Sequence, residues 1–341
     1  MGWRRRIFEA GHRSGALALL GGWYGPRRLT VLAYHRVIDR TAPGFDTYRR
    51  NVSTTPEGFA QQMAYVAERY SVIGLDRLLA WLDGSADLPT RPLLLTFDDG
   101  YRDNLVHALP VLRSHGFPAV VFLATGAIDT GEPLHWDLAA YCFSHTDRQE
   151  ALLPVIGRRR WRTDGEREGT LDEFIEAIKR LPDGQLRTAV ARLPDQLDVQ
   201  PPDDAFAGVY LRWSEVSEMA DQGVAFGAHT VDHPILARLG PEEAAAQVLG
   251  SRERVAEALG RPVPAFAYPN GLAGDFDRGV VDIVRRAGFS AAFTLVPGPA
   301  RVGEVRRAPL EIRRIYVGSK DHISRFAAKL GGLGRTGRLL R

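Results

Sequence analysis

The sequence predicts an α/β protein, a closed (β/α) barrel of seven or eight parallel strands with one long insertion between strands four and five. From residue 29 onward, short β-branched or apolar runs alternate with segments of helical spacing, the pattern of a parallel sheet covered on both faces. Seven or eight such units without a glycine-rich nucleotide fingerprint favour closure over an open doubly wound sheet. The insertion shows as a break in this rhythm over 131–210, where the chain turns rich in Arg and Asp.

In chain order, the strand candidates are 29–34, 71–75, 93–97, 118–124, 224–228, 265–268, 291–295 and 313–317. Helical spacing runs over 56–70, then over 105–115, stopped by Gly116, and over 214–222, with Ser214 as its cap and Gly223 as its stop. Two more helices are expected at 241–259 and 275–287, ended by Gly260 and Gly288, since glycine accepts the left-handed conformation that closes a helix. Inside the insertion, helices are expected near 137–143 and 171–181, close to the barrel mouth.

The 341 residues are 45% apolar and 25% charged, which allows a large core and excludes a wholly disordered chain. No window reaches the roughly 20 consecutive apolar residues of a spanning helix. The single cysteine, Cys142, excludes an internal disulfide and a thiolate zinc cluster. With 44 basic against 41 acidic residues, the net charge of +3 is too balanced to signal nucleic acid. Basic residues gather at the ends: Arg4, Arg5 and Arg6, then Lys329, Arg335, Arg338 and Arg341. The expected organisation is a basic segment over 1–28, the barrel over 29–318 and a basic tail over 319–341. Such termini suit a membrane surface, and the expected location is cytoplasmic or peripheral at the inner membrane surface, with export left open.

Two motifs carry chemistry. The run Leu93-Leu94-Leu95-Thr96-Phe97 ends abruptly in Asp98-Asp99-Gly100-Tyr101. In a (β/α) barrel the C-terminal strand ends form the working face, and two adjacent carboxylates there repel unless something cationic stands beside them. Phe226-Gly227-Ala228 leads into His229-Thr230-Val231-Asp232-His233 at a second strand end. Two imidazoles and one carboxylate make an open divalent site, with positions left for water and substrate.

These segments resemble the signature motifs of the polysaccharide deacetylases, carbohydrate esterase family four: TFDDGY at 96–101 and AHTVDH at 228–233. FAYPNG at 266–271 and LAYHRV at 32–37 resemble the branch that includes poly-N-acetylglucosamine deacetylases. The resemblance takes in 29–318 and implies a distorted (β/α) barrel. It implies that Asp99, His229 and His233 hold one divalent metal ion, zinc by default, and that Asp98 is the general base acting on metal-bound water. It also implies the backbone N–H of Tyr101 as a second donor to the oxyanion.

The resemblance has two gaps. Residues 291–317 contain no histidine, so the family's late proton donor is missing; His35, after the first strand, is its substitute, the alternative being an imidazole that merely bonds a loop. The family's arginine motif is not evident either, and Arg313 or Arg314, entering the last strand, is the candidate replacement. After the fourth strand stands Leu134-His135-Trp136-Asp137. There Trp136 reads as a sugar-stacking ring or an ordinary buried Trp, and Asp137 as a hydroxyl contact or a helix N-cap. Tyr268 and Asn270 are expected to shape the site wall, and the loop over 45–50 to border the substrate groove.

The expected function is a metal-dependent hydrolase removing N-acetyl groups from an amino sugar in a polysaccharide, oligosaccharide or lipid-linked glycan. Two alternatives stand beside it: a non-catalytic carbohydrate-binding barrel, and a deacylase of a small non-polymeric amide selected by the insertion. The expected partner is an N-acetylated glycan, and no nucleic acid.

Overall fold

The computed structural model describes residues 28–298 and 300–331; the basic stretches over 1–27 and 332–341 lie outside the described residues. Seven parallel strands close a ring in chain order: β1 (Arg28–Tyr34), β2 (Pro92–Phe97), β3 (Val120–Leu123), β4 (Ala225–Ala228), β5 (Ala265–Ala267), β6 (Ala291–Pro297) and β7 (Ile312–Tyr316), which returns to β1. One of the eight candidates, the second in chain order, stays outside the ring. Ser71–Val72 pairs only with Pro92 and Leu93, at the start of β2, because β2 higher up is flanked by β1 and, from Thr96 onward, by β3.

Helices follow every strand. After β1 come α1 (Pro56–Ala67) and α2 (Leu75–Leu82); after β2 a single π turn, Asn104–Ala108, continues into α3 (Leu109–Ser114). After β3 come α4 (Thr125–Thr130), then the insertion with α5 (His135–His145), α6 (Asp164–Ile178), α7 (Asp183–Ala191) and α8 (Leu193–Leu197), and then α9 (Trp213–Asp221). The later strands are followed by α10 (Pro241–Leu259), α11 (Arg278–Arg286), α12 (Val302–Arg307) and α13 (Ile323–Leu330). Helix α9 begins one residue before the expected cap Ser214, since the Glu215 carboxylate accepts the Arg212 N–H at 3.0 Å. The last helix of the barrel lies beyond residue 318: Phe326 and Ala327 of α13 are fully buried in the barrel core.

Strand alternation divides the core. Val31, Leu94, Phe122, Ala265, Phe293 and Ile312 belong to one cluster, inside the ring. Their neighbours Leu32, Leu95, Val121, Phe266, Ala292 and Ile315 pack with the surrounding helices. Gly227 is required by the inner packing, because a Cβ there would stand 2.5 Å from the Phe122 ring and 2.8 Å from the Ala265 carbonyl oxygen. The insertion has a separate core built on Trp136, Phe143, Trp161, Phe174, Ile175 and Ile178. It starts from the end of α4 and is closed off by a β-bridge between Tyr101 and Tyr210.

Candidate active site

The ends of five strands stand level at one mouth of the barrel. The Asp98 N–H donates to Tyr34 O at 2.9 Å, His229 N–H to Leu123 O at 2.9 Å, and Val317 N–H to Ala33 O at 2.9 Å. Residues following these strands therefore converge. His35, Asp98, Asp99, His229, His233 and Tyr316 line one pocket of about 360 Å³, walled by Trp136 and Asn270 and, from α6 and its end, by Ile175, Glu176 and Lys179.

Asp99, His229 and His233 bring one ligand atom each to a common centre. Both histidine Nε2 atoms lie 3.5 Å from Asp99 Oδ1, and all three donor atoms lie within 4.8 Å of one another. Ligands about 2.0–2.1 Å from a tetrahedral ion stand about 3.3 Å apart, so the set fits a divalent metal. Its chemistry agrees. His229 Nδ1 meets the Ala267 carbonyl at 2.7 Å; a carbonyl only accepts, so Nδ1 holds a proton and Nε2, on the Asp99 side, is the nitrogen left to serve as ligand. Both Asp99 oxygens are buried without a hydrogen-bond partner among the described residues. Burial alone would raise the Asp99 pKa, but His35, His229 and His233 together hold it well below the usual carboxylate range. Burial, and then neighbouring His229, push His233 well below the usual imidazole range, towards the neutral form a ligand needs.

The loops that aim these groups are strained and tied down. Of the seven described non-glycine residues with positive φ, four belong here: Asp99 at 74°, Thr230 at 67°, His233 at 57° and Asn270 at 55°. For a β-branched residue such as Thr230 this costs energy. The loop after β4 is held by Thr125 and Gly126, whose N–H groups donate to Thr230 O and Val231 O at 3.2 and 2.9 Å. Gln247 of α10 accepts the N–H groups of Val231 and Asp232 at 3.0 and 2.9 Å.

Asp98 is held differently. Arg314, on β7, spans the barrel interior and donates to both its carboxylate oxygens, at 2.7 and 2.8 Å. It also donates to Thr96 Oγ1 at 3.1 Å and Thr294 O at 3.0 Å. Burial would raise the Asp98 pKa; Arg314 first, then His229 and His35, outweigh it and keep it below the usual range. The expected replacement arginine is thus Arg314 and not Arg313. Ile312 and Arg314 share the inward face of β7, whereas Arg313 points out and is exposed. Tyr268 is corrected by the same alternation: it follows Phe266 outward, stacks on Phe276 and donates its hydroxyl to Leu310 O at 2.9 Å, so it is a core residue and not part of the wall.

Trp136 and Asp137 are also placed differently. Trp136 is buried, donates its indole N–H to the Tyr101 hydroxyl at 2.7 Å and packs edge-on against His233 at 4.6 Å between ring centres. It steadies a metal-ligand candidate and is not a free stacking face. Asp137 is fully buried; it accepts the Tyr48 N–H at 2.9 Å and the hydroxyls of Tyr101 and Tyr210 at 2.7 and 2.6 Å. Neither a sugar hydroxyl nor a cap remains for it. The Tyr101 N–H, by contrast, meets no acceptor among the described residues. His35 is at the pocket, its Nε2 3.9 Å from Asp99 Oδ2 and its Nδ1 buried without a partner among the described residues. The loop over 45–50 reaches the pocket through Tyr48 and Arg50.

Sequence reading missed Tyr316, Glu176 and Lys179. Tyr316 had a signal, standing two residues beyond Arg314 on one strand. The other two had none, since charged residues on an insertion helix read as solvated surface.

A parallel barrel with an Asp/His/His donor set and an arginine-held carboxylate at its mouth has the make-up of a hydrolase that works with a metal ion. The chain belongs to the polysaccharide deacetylase family: the model of the family described as polysaccharide deacetylase matches residues 85–292. Among curated proteins, it is 26% identical over 182 residues to the poly-β-1,6-N-acetyl-D-glucosamine N-deacetylase of Escherichia coli K12. That match covers 44% of this chain and only 26% of the relative. Among solved structures, it resembles the Streptococcus pyogenes deacetylase PplD in complex with acetate, at a TM-score of 0.60 and 17% identity over 90% of this chain and 99% of that one. IcaB from Ammonifex degensii gives 0.57 and 20% identity over 89% and 97%. At these identities the structural likeness is one of fold.

Proposed function

We propose that this chain removes N-acetyl groups from amino sugar residues of a glycan, releasing acetate and a free amine. The observation that carries this reading is a carboxylate held on both oxygens by Arg314 and facing the Asp99, His229 and His233 donor set across one pocket. The names of the curated relatives support a poly-β-1,6-N-acetylglucosamine chain as the substrate. A divalent ion held by the donor set, zinc by ligand preference, would supply Lewis acidity towards the amide carbonyl and acidify water.

The protein's own groups then divide the proton work. Asp98, kept ionised by Arg314, takes a proton from the attacking water on a carboxylate oxygen. Arg314 uses two of its roughly four lone-pair sites and leaves the others free. The Tyr101 N–H donates to the carbonyl oxygen as charge builds there. His35 gives a proton to the amide nitrogen as the C–N bond breaks and the new C–O bond completes acetate. The test is Asp98→Asn, with acetate release from a β-1,6-linked N-acetylglucosamine oligomer and metal content both measured. Turnover should fall by about 10²–10⁴-fold with the metal retained; unchanged acetate release overturns the reading.

A further inference from the structure

His35 stands where the chain leaves the barrel. Strand β1 ends at Tyr34, and Arg36 and Val37 turn away to pair with Val52–Thr54 in a separate two-stranded sheet. Between the two ladders, the main-chain groups of His35 are taken by side chains. Its N–H donates to Ser53 Oγ at 2.9 Å, and its carbonyl oxygen accepts from Asn104 Nδ2 at 2.8 Å. Ser53 and Asn104 are both buried, at 0% and 1% exposure.

Asp103 fastens the next two residues. Its Oδ1 accepts the Val37 N–H at 2.7 Å and its Oδ2 the Arg36 Nε–H at 2.7 Å, while the Arg36 guanidinium lies over the Tyr101 ring, 4.5 Å from its centre. The Asp98 N–H donates to Tyr34 O. The segment over 98–104 therefore grips each of residues 34–37 by a hydrogen bond. The same segment carries Asp98 and the Tyr101 N–H, so the proposed proton donor and proton acceptor are held in register by one piece of chain.

The His35 ring, by contrast, is not tied. Nδ1 has no partner among the described residues, and Nε2 lies 3.9 Å from Asp99 Oδ2, beyond hydrogen-bond reach. Tyr316 meets the ring edge-on, 5.5 Å between centres. An imidazole bonded through one nitrogen takes its orientation from that partner. One without such a bond is aimed by its own backbone and by packing, and Nε2, on the Asp99 side, stays uncommitted.

We propose that Asn104 and Ser53 are positioning residues for the deacetylation: they hold His35 by its main chain and so aim its imidazole at the amide nitrogen. This rests on His35 as the proton donor of the proposed reaction, and changing the leaving group tests the two separately. An amide nitrogen must be protonated to leave, whereas the phenolate of an aryl acetate leaves without a proton. A misaimed donor slows amide cleavage and spares ester cleavage.

The experiment compares His35→Ala, Asn104→Ala and the milder Ser53→Ala on a β-1,6-linked N-acetylglucosamine oligomer and on para-nitrophenyl acetate. On the oligomer, His35→Ala should lower kcat by about 10²–10⁴-fold. Asn104→Ala should lower it by about 10–100-fold with KM unchanged, since a misplacement of about 1 Å costs about 10²-fold, and Ser53→Ala by less. Ester hydrolysis and metal content should stay near the native level in all three. In a His35→Ala background, Asn104→Ala should add no further loss, because no donor remains to be aimed. Equal losses on oligomer and ester in Asn104→Ala and Ser53→Ala, full oligomer turnover in both, or a full further loss in the double variant overturns the positioning role, while a selective loss in His35→Ala still upholds the donor. A His35→Ala that loses both activities equally removes the donor, and the positioning with it.

Discussion

Two sites in the molecule bury polar side chains and treat them in opposite ways: the donor set at the barrel mouth, and the seam between barrel and insertion. At the barrel mouth, both Asp99 oxygens, His35 Nδ1 and His233 Nδ1 lie buried with no partner among the described residues. Where the insertion meets the barrel, Asp137, Tyr101, Tyr210, Trp136 and the Tyr48 N–H satisfy one another in a closed knot. Unpaired buried groups are costly, and a fold keeps them where a ligand completes them. Paired ones fasten surfaces together. The barrel mouth therefore holds the groups that a ligand would complete, and the knot fastens the insertion beside them.

The strongest way to break this contrast is to remove one member of the unsatisfied set. His229→Ala, stripped, reloaded with zinc and desalted, should hold almost no metal where the native chain holds about one ion. Acetate release should fall by more than the roughly 100-fold typical of changes beyond the ligands themselves. Unchanged metal content would mean that these groups do not wait for an ion, and the contrast between the two regions would lose its basis.

Most of the barrel was legible because its signals are local and periodic. Leu94, Thr96 and Asp98 are spaced by two, so a strand that turns Leu94 inward also turns Asp98 inward. The same parity separates Arg314 from Arg313 and puts Tyr268 with the outer core, a distinction the sequence contained and the motif reading did not use. The pairing of Arg314 with Asp98, 216 residues apart, could not be read locally at all. In the insertion, short helices carry many surface charges, and the contacts that matter are distant: Asp137 meets the Tyr48 N–H across 89 positions and Tyr210 across 73. A buried aspartate held by tyrosines has the same letters as a helix cap, and only the tertiary arrangement tells them apart.

A smaller effect tests the knot. Asp137→Ala would strand the Tyr48 N–H and the hydroxyl protons of Tyr101 and Tyr210. At about 1–3 kcal/mol for each group that finds no new partner, and with partial relaxation, the loss should be about 3–5 kcal/mol in urea unfolding. Asp137→Asn, which keeps one acceptor oxygen, should lose less. The metal content of folded Asp137→Ala should stay at the native level, since the hydrogen-bond partners of Asp137 are Tyr48, Tyr101 and Tyr210 and none belongs to the donor set. A destabilisation below about 1 kcal/mol would show that the knot does not fasten the insertion.

The smallest expected effect concerns the ion pairs that also join the insertion to the barrel side. Arg49, in the loop after β1, pairs with Glu168 of α6, and their side chains are 48% and 49% exposed. Water screens such a pair, and two long side chains lose rotamer freedom to form it. A double-mutant cycle of Arg49→Gln and Glu168→Gln should give a coupling of about 0–0.5 kcal/mol, fading further as salt is raised. The pair then adds little to holding α6 in place. A coupling above about 2 kcal/mol that survived high salt would reverse this assignment. It would mean that the insertion is clamped to the barrel from its surface as well as through the buried knot at Asp137.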